Sequence, residues 1–391
     1  MTKIHKKKYQ EEDVYQAALA RIEHLYNTYD DVIVSFSGGK DSTAMLLCTI
    51  DVATKLGRLP VKAVFYDEEA IHPPTIDYVR RVAQSSEVEL DWYCLPIKHR
   101  NACSNSQPFW HCWHPDEKDI WVRDLPPEAI TDHERFVMGQ SMQEFGLAHF
   151  KNTNKVVIQG IRTEESIRRY RAVAMKKNEN YISKPNKGIY FAYPIYDWSS
   201  KDVWRLVKNK DADYNRTYDI FNRTDQYGSL LKQRVCPPFG EEPLRGLYLY
   251  SQCFPELWEK MINRVAGAAT AARYGNTEMY SQGYKPDQTS WRAHIQNVLD
   301  QFNGENKRAA TKNVNAAIRA HKAKTDDAIP EELAHPLTGV SWRFISKIVT
   351  RGDFKGRILQ NLSNEASTRL NSLGMTQAQA KMLYGKKQEG A

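Results

Sequence analysis

Val32-Ile33-Val34-Ser35-Phe36-Ser37-Gly38-Gly39-Lys40-Asp41-Ser42 is the stretch that decides the fold. It begins as a short β-rich run and meets a glycine pair. Residues 42–56 then read as a helix that Gly57 closes. A strand that turns directly into a helix is the opening of a parallel α/β unit, because parallel neighbours need a crossover between them. The surrounding residues continue the pattern. Further strands are predicted at 61–66, 88–95 and 156–158, a helix at 76–84, and an edge strand at 190–195. Upstream, Val14, Ala17, Ala18, Ile22 and Leu25 space the apolar face of a helix over 11–29. Ser199 and Asp202 have the spacing of a capping box that opens another helix. The predicted architecture is a doubly wound, mostly parallel α/β sheet with helices on both faces.

After about residue 210 the β-signals fade, and helices are expected at 257–272, 291–302 and 314–324. Residues 328–336, with two prolines, read as a linker, and 342–349 and 359–373 as short helices beyond it. The expected division is 1–210 for the sheet and its loop, 211–327 for a smaller helical domain, and 337–391 for a basic helical segment. Of 391 residues, 41% are hydrophobic and 11% aromatic, too rich in core-forming surface for a disordered chain. No apolar run approaches the ~18 residues of a spanning helix, and no apolar stretch follows the Lys-rich start, so a cytoplasmic protein is expected. Lys and Arg number 55 against 47 Asp and Glu; 15 and 8 of these fall in 301–391, which leaves 40 against 39 for 1–300. The charge excess is C-terminal and suits a nucleic-acid backbone, although a solvated helix face has the same composition. Six scattered cysteines in a chain this long read as reduced thiols.

The loop itself carries chemistry. Gly38 and Gly39 let backbone approach a ligand, and the new helix aims unpaired N–H groups and its positive dipole end at the turn. Lys40 adds a mobile charge, Ser37 and Ser42 offer hydroxyl donors, and Ser35 stands at the strand end. The spacing is neither Walker A nor G-x-G-x-x-G. It fits S-G-G-x-D-S, the PP-loop signature. A glycine-rich turn that only joins strand to helix is the plainer alternative.

On these residues the chain resembles the adenine nucleotide α-hydrolase superfamily and, within it, the phosphoadenylylsulfate (PAPS) reductase group. Three further segments carry the resemblance over about residues 30–210. Phe65-Tyr66-Asp67-Glu68-Glu69-Ala70 stands where the family closes over adenosine. Gly160-Ile161-Arg162-Thr163-Glu164-Glu165-Ser166-Ile167-Arg168-Arg169 matches G-x-R-x-x-E-S-x-x-R. Pro194-Ile195-Tyr196-Asp197-Trp198 with Asp202-Val203-Trp204 matches the third motif. The resemblance implies an adenine nucleotide, ATP or PAPS, held by Ser35, Ser37, Gly38, Gly39, Lys40, Asp41, Ser42, Asp67, Gly160, Arg162, Glu165 and Arg169. Lys40, Asp41 and Arg162 are then the catalytic candidates. It extends to a branch with an extra C-terminal domain, one member of which is a prophage-borne co-activator that acts with a ParB-like protein; a similar partner is implied, and the sequence leaves a homo-oligomer open.

The departures shape the expected chemistry. PAPS reduction needs a thiolate from a C-terminal E-C-G-[IL]-H motif that this chain lacks, and no cysteine follows Cys253. No two cysteines are adjacent or three apart, so no iron–sulfur cluster is expected. Asp67, Glu68 and Glu69 replace the family's Thr-Gly turn. Beside a phosphate loop, carboxylates favour a bridging Mg²⁺, for which Asp41, Asp67 and Glu69 are the candidate ligands. The reading is therefore cleavage of ATP to AMP and pyrophosphate to modify an acceptor, with a PAPS enzyme and a nucleotide-switched, nucleic-acid-associated regulator as alternatives. Trp110-His111-Cys112-Trp113-His114 with Cys103 fits no standard zinc spacing, and Cys236 reads as a structural thiol or a sulfur carrier.

Overall fold

The computed structural model describes residues 11–104, 106–151, 153–166, 169–170, 173, 181–183, 189–224, 238–240, 247–274, 289–302, 304–350, 352–354, 356 and 358–386. They fall into two units: residues 1–99, 111–238 and 249–264, and residues 100–110, 239–248 and 265–391.

The first unit is built on a six-stranded sheet. Its strands are β1 (Asp31–Ser35), β2 (Val61–Tyr66), β3 (Val88–Tyr93), β4 (Lys155–Gln159), β5 (Ile182–Ser183) and β6 (Tyr190–Ala192), in the order β3-β2-β1-β4-β6-β5. All neighbours are parallel except β5 and β6. The three middle residues of β1 and of β4 are buried, as continuous apolar runs in covered parallel sheets should be. Residues 190–192 do form a strand, but the edge belongs to β5, whose two residues offered no periodic signal.

Helices flank the sheet. In α1 (Val14–Thr28), Asp13 caps the amides of Tyr15 and Gln16, and Ala17, Ala18, Ile22, Leu25 and Tyr26 are buried. Helix α2 (Lys40–Leu56) starts at Gly39 with no side-chain cap and ends at Gly57, which adopts φ 64°. Helix α3 (Pro73–Ala83) has proline in its first turn, where a missing N–H costs nothing. Helix α4 (Met142–His149) precedes β4, and α5 (Ser200–Asn209) opens with the anticipated Ser199/Asp202 capping box. Helices α6 (Thr217–Asn222) and α7 (Pro255–Arg264) complete what positions the site.

From β1 the chain runs outward through β2 to β3, whereas β4 lies on β1's other side with Ser35 paired to Gln159. Strand order thus reverses beside β1. In an open α/β sheet the crevice at the carboxyl ends of such strands is where ligands bind.

The second unit is helical, with α8 (Ala268–Tyr274), α9 (Trp291–Asp300), α10 (Gly304–Lys322), α11 (Trp342–Thr350), α12 (Leu362–Ser372) and α13 (Gln377–Tyr384). Ile295, Leu299, Val314, Ile345, Ile348 and Val349 meet in its core. The helix expected over 257–272 is two helices. Gly267 between them has φ 81°, and a Cβ there would lie 2.3 Å from the Cys103 carbonyl oxygen. No helix among the described residues is long and apolar enough to cross a membrane.

Candidate functional site

The loop between β1 and α2 is held open by its backbone. Gly38 adopts φ 69°, and a Cβ there would stand 3.0 Å from the methyls of both Thr75 and Val79. Asn215 Nδ2 donates to the Gly38 carbonyl at 2.8 Å. The Ser37 amide donates to Ser42 Oγ and the Lys40 amide to Tyr218 Oη, at 3.2 and 3.0 Å. The amides of Gly38, Gly39, Asp41 and Ser42 meet no protein acceptor among the described residues. They sit at the positive end of a 17-residue helix, where an anion is favoured. Ser42 differs from expectation: its hydroxyl donates to the Gly39 carbonyl at 2.9 Å and shapes the loop from within. Ser37 is exposed and lies 3.1 Å from it, Oγ to Oγ.

The segment after β4 closes on this loop. A Cβ on Gly160 would fall 2.6 Å from the Asp41 carbonyl oxygen, so only glycine allows the approach. Arg162, 2% exposed, donates through Nε to Asp41 Oδ1 at 2.6 Å and through Nη2 to Ser200 Oγ at 3.0 Å. Lys40, 3% exposed, reaches Asp41 Oδ2 at 3.1 Å. Lys40, Asp41 and Arg162 are therefore brought together, with the carboxylate between the cations. Glu165 accepts from the Arg162 amide at 3.2 Å and pairs with Arg169, one helical repeat on. Ile167 and Arg168 of this motif lie outside the described residues.

The end of β2 departs from the metal expectation. Asp67 is wholly buried and accepts from Trp92 Nε1 at 2.8 Å, the Glu69 amide at 2.9 Å, and the Arg123 guanidinium. Glu69 is equally buried. It accepts from Arg264 Nε at 2.8 Å and Nη2 at 3.1 Å, and from the Trp113 and Val122 amides at 2.7 and 3.0 Å. Arg264 also donates to Glu117 at 2.6 Å and the His111 carbonyl at 2.7 Å. Asp41, Asp67 and Glu69 thus do not fit as Mg²⁺ ligands: N–H groups already occupy the oxygens an ion would need, and no group of three or more His, Cys, Asp or Glu placed for a metal occurs among the described residues. The Cys112 cluster is no exception, since its buried thiol donates to the Leu95 carbonyl at 3.3 Å.

Between Asp67 and Glu69 the chain presents Glu68 the other way. With Ser35, Phe36, Ser37, Phe65, Tyr66, Ile71, His72, Thr75 and Met142 it lines a mostly apolar cleft of about 190 Å³ beside the loop. Burial, then the Asp67 charge, raises the Glu68 carboxyl to about 8, and burial lowers His72 to about 3, so the imidazole is neutral. Alternation past Tyr66 was the available signal: residues 66 and 68 share one side, 67 and 69 the other. Asn215, just before α6, and Tyr218, within it, hold the loop but left no such signal, because their role depends on a tertiary contact with a segment far away in sequence.

This fold, with a row of amides that meet no protein acceptor among the described residues where strand order reverses, is that of a PP-loop nucleotide-binding protein. Residues 31–223 match the phosphoadenosine phosphosulfate reductase domain and residues 229–359 a domain of unknown function, DUF3440. The chain is 30% identical over 372 residues to the Escherichia coli protein YbdN, covering 89% of this chain and 90% of that one. It belongs to this PAPS reductase-domain family. A Methanocaldococcus jannaschii protein, MJ0066, is 24% identical over 246 residues, covering 62% of this chain but 44% of its own length. Among solved structures, a Candida auris PAPS reductase in a phosphate complex aligns over 55% of this chain and 94% of its own at 14% identity and a TM-score of 0.29. A Candida glabrata FMN adenylyltransferase in complex with ATP aligns over 55% and 62% at 13% identity and a TM-score of 0.33.

Proposed function

We propose that the chain binds an adenine nucleotide with its phosphates on the Gly38, Gly39, Asp41 and Ser42 amides, and that it catalyses attack at the α-phosphorus of ATP. The observation that carries the reading is the row of amides without protein acceptors among the described residues, flanked by Lys40 and Arg162, in a loop whose Ser35 and Ser37 line a base-sized apolar cleft. In the reaction an acceptor oxygen bonds to the α-phosphorus as the bond from that phosphorus to the α,β-bridging oxygen breaks, and pyrophosphate departs with that oxygen and the electron pair. Preorganised amides and cations stabilise that developing charge without reorganisation. Asp41 holds the two cations in register. No step needs Asp67 or Glu69, which support the cleft wall from behind.

The thiols speak against reduction. Cys48, Cys94, Cys103 and Cys112 are buried and Cys253 partly so, and burial raises every one of them away from the thiolate form; Cys236 lies outside the described residues. PAPS binding is the second reading, favoured by the family match over residues 31–223. Calorimetric titration with ATP, a non-hydrolysable analogue and PAPS, for wild type and Lys40→Ala, tests both, with pyrophosphate release as the assay of turnover. Binding of ATP that Lys40→Ala weakens at least tenfold is expected. Absence of binding by both nucleotides, or indifference to the lysine, refutes the proposal; sulfite release from PAPS with a thiol donor replaces it with the second reading.

A further inference from the structure

Resting on the adenine-nucleotide reading, we infer that Glu68 and His72 read the base, the carboxyl accepting from the 6-amino group of adenine and the imidazole Nε2–H donating to a ring nitrogen beside it.

The cleft's walls are Phe36, Phe65, Ile71 and Met142, surfaces that suit a flat aromatic ring and name no particular one. Specificity has to come from the few polar side chains present. Thr75 is already engaged, its hydroxyl bonded to Thr217 Oγ1 at 3.0 Å and to Asn215 Nδ2 at 2.8 Å. His72 is not. It is 2% exposed, yet its Nε2 is buried without a protein partner among the described residues. Leaving such an atom unsatisfied costs on the order of 1–3 kcal/mol, recovered when a ligand supplies the partner. The ring cannot swing away to water, because it stacks on Tyr250 at 4.4 Å and meets Phe221 edge-on at 5.1 Å. Glu68 lies four residues earlier on the same lining, its carboxylate 3.8 Å from His99 Nδ1. With its carboxyl raised to about 8 by burial, Glu68 offers a carbonyl oxygen to the amino group at neutral pH, and His72 in its Nε2–H tautomer donates to the ring nitrogen; together they complement adenine, whose amino group donates while its ring nitrogen accepts. Guanine reverses both, with an oxygen at position 6 and a protonated N1. A site built from buried hydrogen-bonding groups rejects the wrong pattern strongly, since each mismatch leaves polar atoms unpaired on both sides.

The experiment titrates ATP, GTP and the triphosphate of purine riboside, which lacks the 6-amino group, into wild type, Glu68→Leu, Glu68→Gln and His72→Phe; phenylalanine keeps the aromatic stack. Pyrophosphate titrated alongside probes the loop alone. Wild type is expected to prefer ATP over GTP by more than ~100-fold. Glu68→Leu and His72→Phe should each bring that ratio down at least tenfold, and Glu68→Gln, which keeps an acceptor oxygen, should retain most of it. If Glu68→Leu and His72→Phe both keep the wild-type ratio, the inference is overturned while the loop's role stands. A wild type that binds neither pyrophosphate nor ATP overturns both.

Discussion

The ends of β1 and β2 lie side by side at the carboxyl edge of one sheet, and both are rich in charge, yet they are finished in opposite ways. After β1, backbone donors stay without protein acceptors among the described residues, and the one carboxylate, Asp41, steadies two cations, Lys40 and Arg162. After β2, Asp67 and Glu69 are driven inward and saturated by Arg123, Arg264 and three backbone amides. Proximity to a phosphate loop does not make a carboxylate a metal ligand. Its availability depends on which donors the rest of the chain aims at it, and here those donors come from 44, 53 and 195 residues away for Glu69.

The largest expected effect breaks the β2 side. Arg264→Ala leaves the wholly buried Glu69 carboxyl short of two donors, so a loss of about 3–5 kcal/mol in urea unfolding is expected. The double variant Glu69→Gln/Arg264→Met should recover part of it, because it buries no charge and keeps an oxygen acceptor for the Trp113 and Val122 amides. A loss below ~1 kcal/mol in the single variant would mean that the pair is effectively solvated, and the distinction between the two strand ends would fall.

A smaller effect tests how tightly the β1 side is built. Gly160→Ala places a methyl against the Asp41 carbonyl and 2.9 Å from the Ser42 amide, backbone atoms that cannot rotate aside. Overpacking of this kind costs roughly 1–3 kcal/mol. Since it displaces α2's first turn, ATP affinity should fall with stability, in contrast to Arg264→Ala, whose cost is chiefly in stability. Unchanged ATP binding in a destabilised Gly160→Ala would show that the amide row is not the anion site.

Much of this edge was legible in advance. A β-branched run, two glycines and the start of a helix already implied donors left for a ligand, and Arg162 followed a predicted strand. That Asp67 and Glu69 are saturated was not legible in the same way, because Arg123 lies in an irregular insertion and Arg264 in a helix of the chain's second half. Glu69 adds a local obstacle: it holds φ 63°, a backbone region where glycine is usual, and stays there because its carboxylate and carbonyl are both tied down. The helix break at Gly267 was hidden for a similar reason, since the constraint is the approach of Cys103 from far upstream.

The smallest expected effect sharpens the comparison at its subtlest point. Tyr218 is almost fully buried, and its hydroxyl takes the Lys40 amide at 3.0 Å, so one donor of the loop is already satisfied by protein. Tyr218→Phe returns that N–H to the cradle while leaving the ring under the Lys40 ammonium, which now lies 5.7 Å from its centroid. Loss of one hydrogen bond should cost about 1 kcal/mol of stability. If the loop is an anion site, pyrophosphate affinity holds or rises, because the freed amide joins those of Gly39 and Asp41 in facing the ligand. If the loop is only a turn between strand and helix, the same substitution loosens it and nothing gains; pyrophosphate binding weakened more than tenfold in a folded Tyr218→Phe would place the end of β1 in the same class as the end of β2, closed on itself.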